Sequence, residues 1–111
     1  MMENLIGIRP PSDVDGVMQD VHWPAGLFGY FPTYSLGAMT AAQLFATATA
    51  ANPDIRPALA RGDFKPLFAW LDKEIRSQGS LLSPEGLIEQ ATGKPLSAEA
   101  YKAHVKARYL G

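Results

Sequence analysis

Cysteine is absent from the 111 residues, which excludes a disulfide framework and thiolate chemistry and suits a reducing compartment. A basic excess is absent too. With 10 Lys and Arg against 11 Asp and Glu the formal net charge is −1, leaving no surplus to neutralise phosphates, so no nucleic-acid partner is expected. Strand signals are scarce, with no alternating Val/Ile/Thr run and no Asn-Gly hairpin. Glycine-rich phosphate loops and a Gly-x-Ser-x-Gly elbow are missing. The only histidines are His22 and His104, at no metal-ligand spacing. A catalytic zinc takes about three protein ligands, so no metal site is expected from these residues alone. The opening "MMENLIGIRPPSD" carries neither a basic leader nor an apolar stretch of secretory length, and a cytoplasmic protein is expected.

The remaining scarcity is local. Residues 21–53 contain no Asp, Glu, Lys or Arg, yet residues 16–37, "GVMQDVHWPAGLFGYFPTYSLG", hold a histidine, a tryptophan, two tyrosines and two phenylalanines. A membrane span needs about 20 mostly apolar residues. Here Pro24 and Pro32 break the first half of the run, and Thr40, Gln43, Thr47 and Thr49 interrupt the second. No membrane partner is expected, and a buried helix fits better.

Helical signals fill the rest of the chain, and the fold class expected is all-α, with about six helices in a single segment, 1–111. "SDVDGVMQD" offers Ser12 or Asp13 as the cap of a short helix. From about Thr33 to Asn52, Ala38, Ala41, Ala42, Phe45 and Ala48 recur at helical spacing. Pro53 can open the next helix, which ends at Gly62. Asp63 precedes an amphipathic helix over 64–77, whose stripe Phe64, Leu67, Phe68, Leu71 and Ile75 is expected to be buried, with Gly79 ending it. "SPEGLIEQATG" reads as a short helix between a Ser83 cap and Gly93, and Ser97 caps the last helix. "SQGSLLSP" is expected to be the longest loop.

His104 lies among Lys102, Lys106 and Arg108 and reads as a solvated helix residue. His22 differs, because it follows Asp20 by two residues, adjoins Trp23, and opens a loop holding Tyr30 and Tyr34. An imidazole oriented by a carboxylate can donate to a developing oxyanion, as can a phenol. The competing reading is a buried loop histidine whose nitrogens bond nearby backbone, with Trp23, Phe28, Tyr30 and Phe31 as plain core.

"GVMQDVHW", from Gly16 to Trp23, fits the pattern G-x-x-Q-D-x-H-W and resembles a signature of the thermostable carboxypeptidases, the carboxypeptidase Taq family of zinc metallopeptidases. The following "GLFGYFPTYSLGAMTAAQLF" and the terminal "LLSPEGLIEQATGKPLSAEAYKAHVKARY" are similar to that family's continuation. The resemblance implies a mostly helical fold and a zinc-dependent enzyme that hydrolyses C-terminal residues from peptides. It implies that His22 and Tyr30 stabilise the tetrahedral intermediate. By the same resemblance Tyr34 would bind the C-terminal carboxylate of the peptide substrate, while Gly16, Gln19, Asp20 and Trp23 would support the motif. Family members are several times longer and bind zinc through an H-E-x-x-H helix and a downstream Glu. Those ligands precede this motif and are not in the chain, so a C-terminal piece is expected, inactive alone and binding no zinc itself. The alternative is a stand-alone, non-catalytic helical interaction module. Self-association is also expected, as a homodimer through the uncharged helix 33–52, whose small residues Ala38, Ala41, Ala42 and Ala48 allow close approach.

Overall fold

The computed structural model describes residues 2–111, without the side chains of Met2 and Ile6. Six α-helices form: α1 (Met2–Ile6), α2 (Pro32–Ala51), α3 (Ile55–Ala60), α4 (Lys65–Glu74), α5 (Pro84–Thr92) and α6 (Glu99–Tyr109). Two 3₁₀ turns, Val17–Gln19 and Arg76–Gln78, complete the regular structure, and no strand occurs among the described residues. The all-α reading therefore holds. No helix among the described residues is long and apolar enough to cross a membrane. By its contacts the chain forms two compact units, Met1–Tyr34 and Ser35–Gly111.

Helix boundaries follow the local chemistry. Pro32 opens α2, where its missing N–H costs nothing. Beyond the helix, Asn52 Oδ1 accepts the Asp54 N–H at 3.1 Å, so the chain turns, and α3 begins at Ile55 rather than at Pro53. Asp63 Oδ1 accepts the Lys65 N–H at 3.0 Å, satisfying a donor at the start of α4. Ser83 caps α5 by accepting the Gly86 N–H at 3.2 Å, and Gly93 closes it at φ 73°. Ser97 Oγ accepts the Glu99 N–H at 3.4 Å ahead of α6.

Other expectations need correction. "SDVDGVMQD" does not form a capped α-helix. Ser12 Oγ bonds Asp15 instead, accepting its N–H at 3.3 Å and donating to Oδ2 at 2.6 Å, and only the 3₁₀ turn Val17–Gln19 follows. Short polar side chains that bond nearby backbone compete with helix formation. The longest helix-free connection after Gln19 is 20–31, not the segment around Ser80. The α4 stripe is also less buried than its periodicity suggests. Leu67, Leu71 and Ile75 are half-buried, but Phe64 is 51% and Phe68 47% exposed. Amphipathic spacing specifies one apolar face; it does not supply the surface that covers it.

The core of the second unit is small: Ala48, Ile55, Ala58 and Ile88 are its buried hydrophobic residues. Ala48 lies inside the unit at 0% exposure and is unavailable to a second copy, contrary to the contact expected of it. At the centre of α2 sits Gln43, also 0% exposed. Its Nε2 donates to Thr92 Oγ1 at 2.9 Å and to the carbonyls of Lys94 and Pro95, each at 3.2 Å. Its Oε1 accepts the Ser97 N–H at 3.0 Å. One amide thus ties α2 to the connection between α5 and α6.

Gln43→Leu keeps the volume but strands these partners, and should lower stability by about 1–3 kcal/mol. Leu71→Ala, at a half-buried site, should cost about 0.5–2 kcal/mol, less than a fully buried leucine. Denaturant midpoints of the two variants check both the sizes and the order.

Candidate functional site

The site lies in the first unit and is assembled around one imidazole. Asp20 Oδ1 accepts the His22 backbone N–H at 2.9 Å and contacts Nδ1 of the same residue at 2.7 Å. A separation of two residues permits this double contact, since the Asp side chain folds over its own turn. An ionised carboxylate only accepts hydrogen bonds, so Nδ1 carries the proton. The Asp20 carboxyl is held below its ordinary 3.8, first by the His22 backbone N–H and then by the imidazole, against a smaller opposing effect of desolvation.

The other ring nitrogen, Nε2, faces Tyr34 Oη at 3.3 Å. With the neutral ring protonated at Nδ1, Nε2 is an acceptor and the Tyr34 hydroxyl donates to it. Both nitrogens therefore meet side chains rather than the nearby backbone of the competing reading. Tyr30 stacks on the ring, with centroids 5.4 Å apart and planes at 21°. Phe31 meets it edge-on at 4.9 Å, and Tyr34 at 5.8 Å. The His22 side chain is left only 16% exposed.

Turns bring these aromatics back onto a histidine that precedes them by 8 to 12 residues. Leu27 N–H donates to the His22 carbonyl at 2.8 Å, Gly26 N–H to Trp23 at 2.9 Å, and Tyr30 N–H to Leu27 at 3.3 Å. Gly26 and Gly29 sit at φ 77° and 73°, a conformation that strains residues bearing a Cβ. Thr33 Oγ1 donates to the Tyr30 carbonyl at 2.6 Å and joins the loop to the first turn of α2, which carries Tyr34.

The other motif residues hold the approach to the histidine. A Cβ on Gly16 would stand 3.0 Å from Pro10 Cγ and 3.1 Å from its Cβ, so the position is tight for any larger residue. Gln19 Nε2 donates to the Val14 carbonyl at 2.6 Å, fixing the turn before Asp20. Trp23 does not stack on His22. It lies 5.7 Å from Phe28, 66% exposed, and helps to line an apolar hollow of about 640 Å³ with Met18, Pro24 and Phe31. Phe31, plain core in the competing reading, is 60% exposed and forms a wall shared by the histidine and the hollow. Its place next to Tyr30 was the available signal. His104 is exposed, as its neighbours imply, and borders a separate hollow in the second unit with Phe45, Arg56 and Arg108.

Among the described residues no three His, Asp or Glu side chains gather as a metal site requires. His22, with one nitrogen on Asp20 and the other on Tyr34, offers no free ligand atom in this arrangement. The described residues do not by themselves fit a zinc.

Comparison with known proteins gives a consistent context. The family profile described as "Carboxypeptidase Taq (M32) metallopeptidase" matches residues 1–109. Thermostable carboxypeptidase 1 of Thermus thermophilus is 45% identical over 104 residues, which are 94% of this chain and 20% of that protein. The protein of the same name from Pyrococcus furiosus is 40% identical over 109 residues, 98% of this chain and 22% of its own length. Among solved structures, Trypanosoma cruzi metallocarboxypeptidase 1 superposes with a TM-score of 0.92 at 39% identity, covering 99% of this chain and 23% of that one. The M32 carboxypeptidase of Deinococcus radiodurans R1 gives 0.91 at 42% identity, covering 97% and 22%. The chain thus spans about a fifth of the relatives it matches.

The Asp20 contact has a testable pH dependence. A depressed carboxyl favours the folded loop above the ordinary 3.8, and that contribution fades as pH falls through the folded-state value. Carbon NMR of the Asp20 carboxyl should give a midpoint below 3.8. In an Asp20→Asn variant the His22 backbone amide signal should move even at neutral pH.

Proposed function

Because the chain belongs to the carboxypeptidase Taq (M32) metallopeptidase family, we propose that residues 1–111 form the C-terminal segment of a longer metallocarboxypeptidase, which hydrolyses peptides one residue at a time from the C-terminus. The observation that carries this reading is the Asp20–His22–Tyr34 arrangement inside the G-x-x-Q-D-x-H-W stretch. Zinc is proposed for the intact enzyme only, and no residue of this chain is assigned to it. On the lack of cysteine in these 111 residues, we place the enzyme in the cytoplasm.

In this reading Asp20 fixes the ring of His22, and Nε2, when the ring carries both protons, donates to the oxyanion that forms at the scissile carbonyl. Tyr30 covers the ring and shares in that stabilisation. The Tyr34 hydroxyl donates to the C-terminal carboxylate of the peptide. Residues 21–53 contain no Lys or Arg, so the cation that pairs with this carboxylate comes from outside them. Gly16 and Gln19 set the turn, and Trp23 and Phe31 help to exclude water. Alone, the segment is inactive.

In the intact enzyme His22→Ala should lower kcat about 10²-fold, the scale for one lost oxyanion donor. Tyr34→Phe should act mainly by raising KM, about tenfold. An unchanged kcat in His22→Ala would remove His22 from the mechanism.

We also propose that the isolated segment self-associates as a homodimer. In the first unit Trp23, Phe28 and Phe31 are exposed, and in the second so are Leu36, Phe64 and Leu81. Apolar surface of this kind is normally covered by a partner. Light scattering at micromolar concentration should give the mass of a dimer; a folded monomer would refute this.

A further inference from the structure

The Tyr34 hydroxyl has a single proton to donate. In the arrangement described above, with Asp20 ionised and the ring neutral, that proton points at Nε2 across 3.3 Å. A carboxylate bound at Tyr34 would compete for it, because an ionised carboxylate accepts and cannot donate. Once the hydroxyl turns to the carboxylate, Nε2 loses its donor and faces the lone pairs of Oη. Two acceptors then face each other, an arrangement that is unfavourable unless one of them gains a proton. Of the two, the imidazole nitrogen carries the basic lone pair that can take one up.

From this geometry we infer that binding of a substrate carboxylate at Tyr34 reverses the Tyr34–His22 hydrogen bond and draws a second proton onto His22 Nε2. The inference rests on the carboxylate-binding role proposed for Tyr34. The proton is taken up from bulk solvent, from hydronium or a buffer acid that is left as water or the conjugate base, and no covalent bond of the substrate is made or broken. The final chain runs from the Asp20 carboxylate to Nδ1–H, through the ring to Nε2–H, then to Oη, whose own hydrogen points at the substrate. Asp20 matters at the far end, since its negative charge at 2.7 Å from Nδ1 offsets the positive charge of the ring. The titratable groups facing the imidazole are Asp20, Tyr30 and Tyr34; Tyr30 presents its ring face, and Phe31 carries no charge. Reversal converts His22 from an acceptor into a donor whose Nε2–H rests on Oη until a forming oxyanion takes the place of Oη, and it does so when a C-terminal carboxylate is in place. Tyr34 is then both a binding group and a positioning residue that sets the proton inventory of His22. The same linkage runs backwards: protonation of His22 tightens carboxylate binding by the same factor.

Nitrogen NMR of the imidazole tests this on the 111-residue chain, with N-acetylphenylalanine as the probe and its C-terminal amide as the control. Without ligand, Tyr34→Phe should move the neutral-state Nε2 signal, whereas Tyr30→Phe should leave it in place. With the free acid bound, as seen from the Tyr34 ring signals, the His22 titration midpoint should rise by about one unit, equivalent to about tenfold tighter binding to the protonated ring. The amide should produce no rise, and the rise should vanish in Tyr34→Phe. A response at Tyr34 without a rise would overturn the inference and leave the carboxylate-binding role standing. No response at Tyr34 would overturn that role and the inference together, leaving the separate case for His22 to its own kinetic test. An Nε2 signal insensitive to Tyr34→Phe would show that the hydroxyl does not bond the ring.

Discussion

The buried amide of Gln43 is the constraint on which the second unit depends. A primary amide taken out of water costs several kcal/mol unless its hydrogen bonds are replaced. Here both ends are satisfied by a short piece of chain, with Thr92, Lys94 and Pro95 accepting from Nε2 and Ser97 donating to Oε1. Those partners lie 49 to 54 residues away in sequence, so one side chain fixes the course of the α5–α6 connection against α2. Thr92 is fixed in turn, its hydroxyl lying 2.8 Å from the Ile88 carbonyl and 2.9 Å from that of Lys94. With a core of only four buried hydrophobic residues, the unit relies on a directional polar contact for a definition that close packing alone does not provide.

The first unit is organised in the same way on a smaller scale. Asp20 restrains His22 through two bonds made by one carboxylate oxygen, both within a single turn. That local restraint sets the orientation of the ring, and the turns at Gly26 and Gly29 then deliver aromatic walls to a ring already positioned. The order has a chemical consequence. A histidine fixed first at Nδ1 leaves Nε2 as its one variable position, and Tyr34 is the residue placed there. The family to which the chain belongs gives this geometry its setting. The chain spans about a fifth of the relatives it matches, and Trp23, Phe28 and Phe31 of its aromatic loop stay largely exposed.

Much was legible in the sequence because it is decided locally. The all-α class follows from helical spacing without strand alternation. The ends of α5 follow from Ser83 and Gly93, whose effects reach only a few residues along the chain. The motif Gly16 to Trp23 also announced itself locally, since Asp20 and His22 bond at a separation of two positions, with only Val21 between them. Where local chemistry has two answers the sequence is less decisive. Ser12 can cap a helix or hold a turn against Asp15, and the turn prevails, with Gly16 packed against Pro10.

Burial and long-range partnership were decided by tertiary structure alone. Periodicity identifies the apolar stripe of α4, yet it cannot reveal that Phe64 and Phe68 remain largely exposed, because burial depends on what other elements bring to that face. Gln43 reads in sequence as one polar interruption among several, and only the folded chain makes it the centre of the α5–α6 connection. That Phe31 stands edge-on to His22 is likewise decided only when the loop closes. The sequence by itself determined the helices α2 to α6, the capped ends of α5 and which histidine is held by a carboxylate, since each depends on neighbours a few residues apart. The partners of Gln43, the walls around His22 and the exposure of α4 required the chain to return on itself, and no property of a single segment encodes that return.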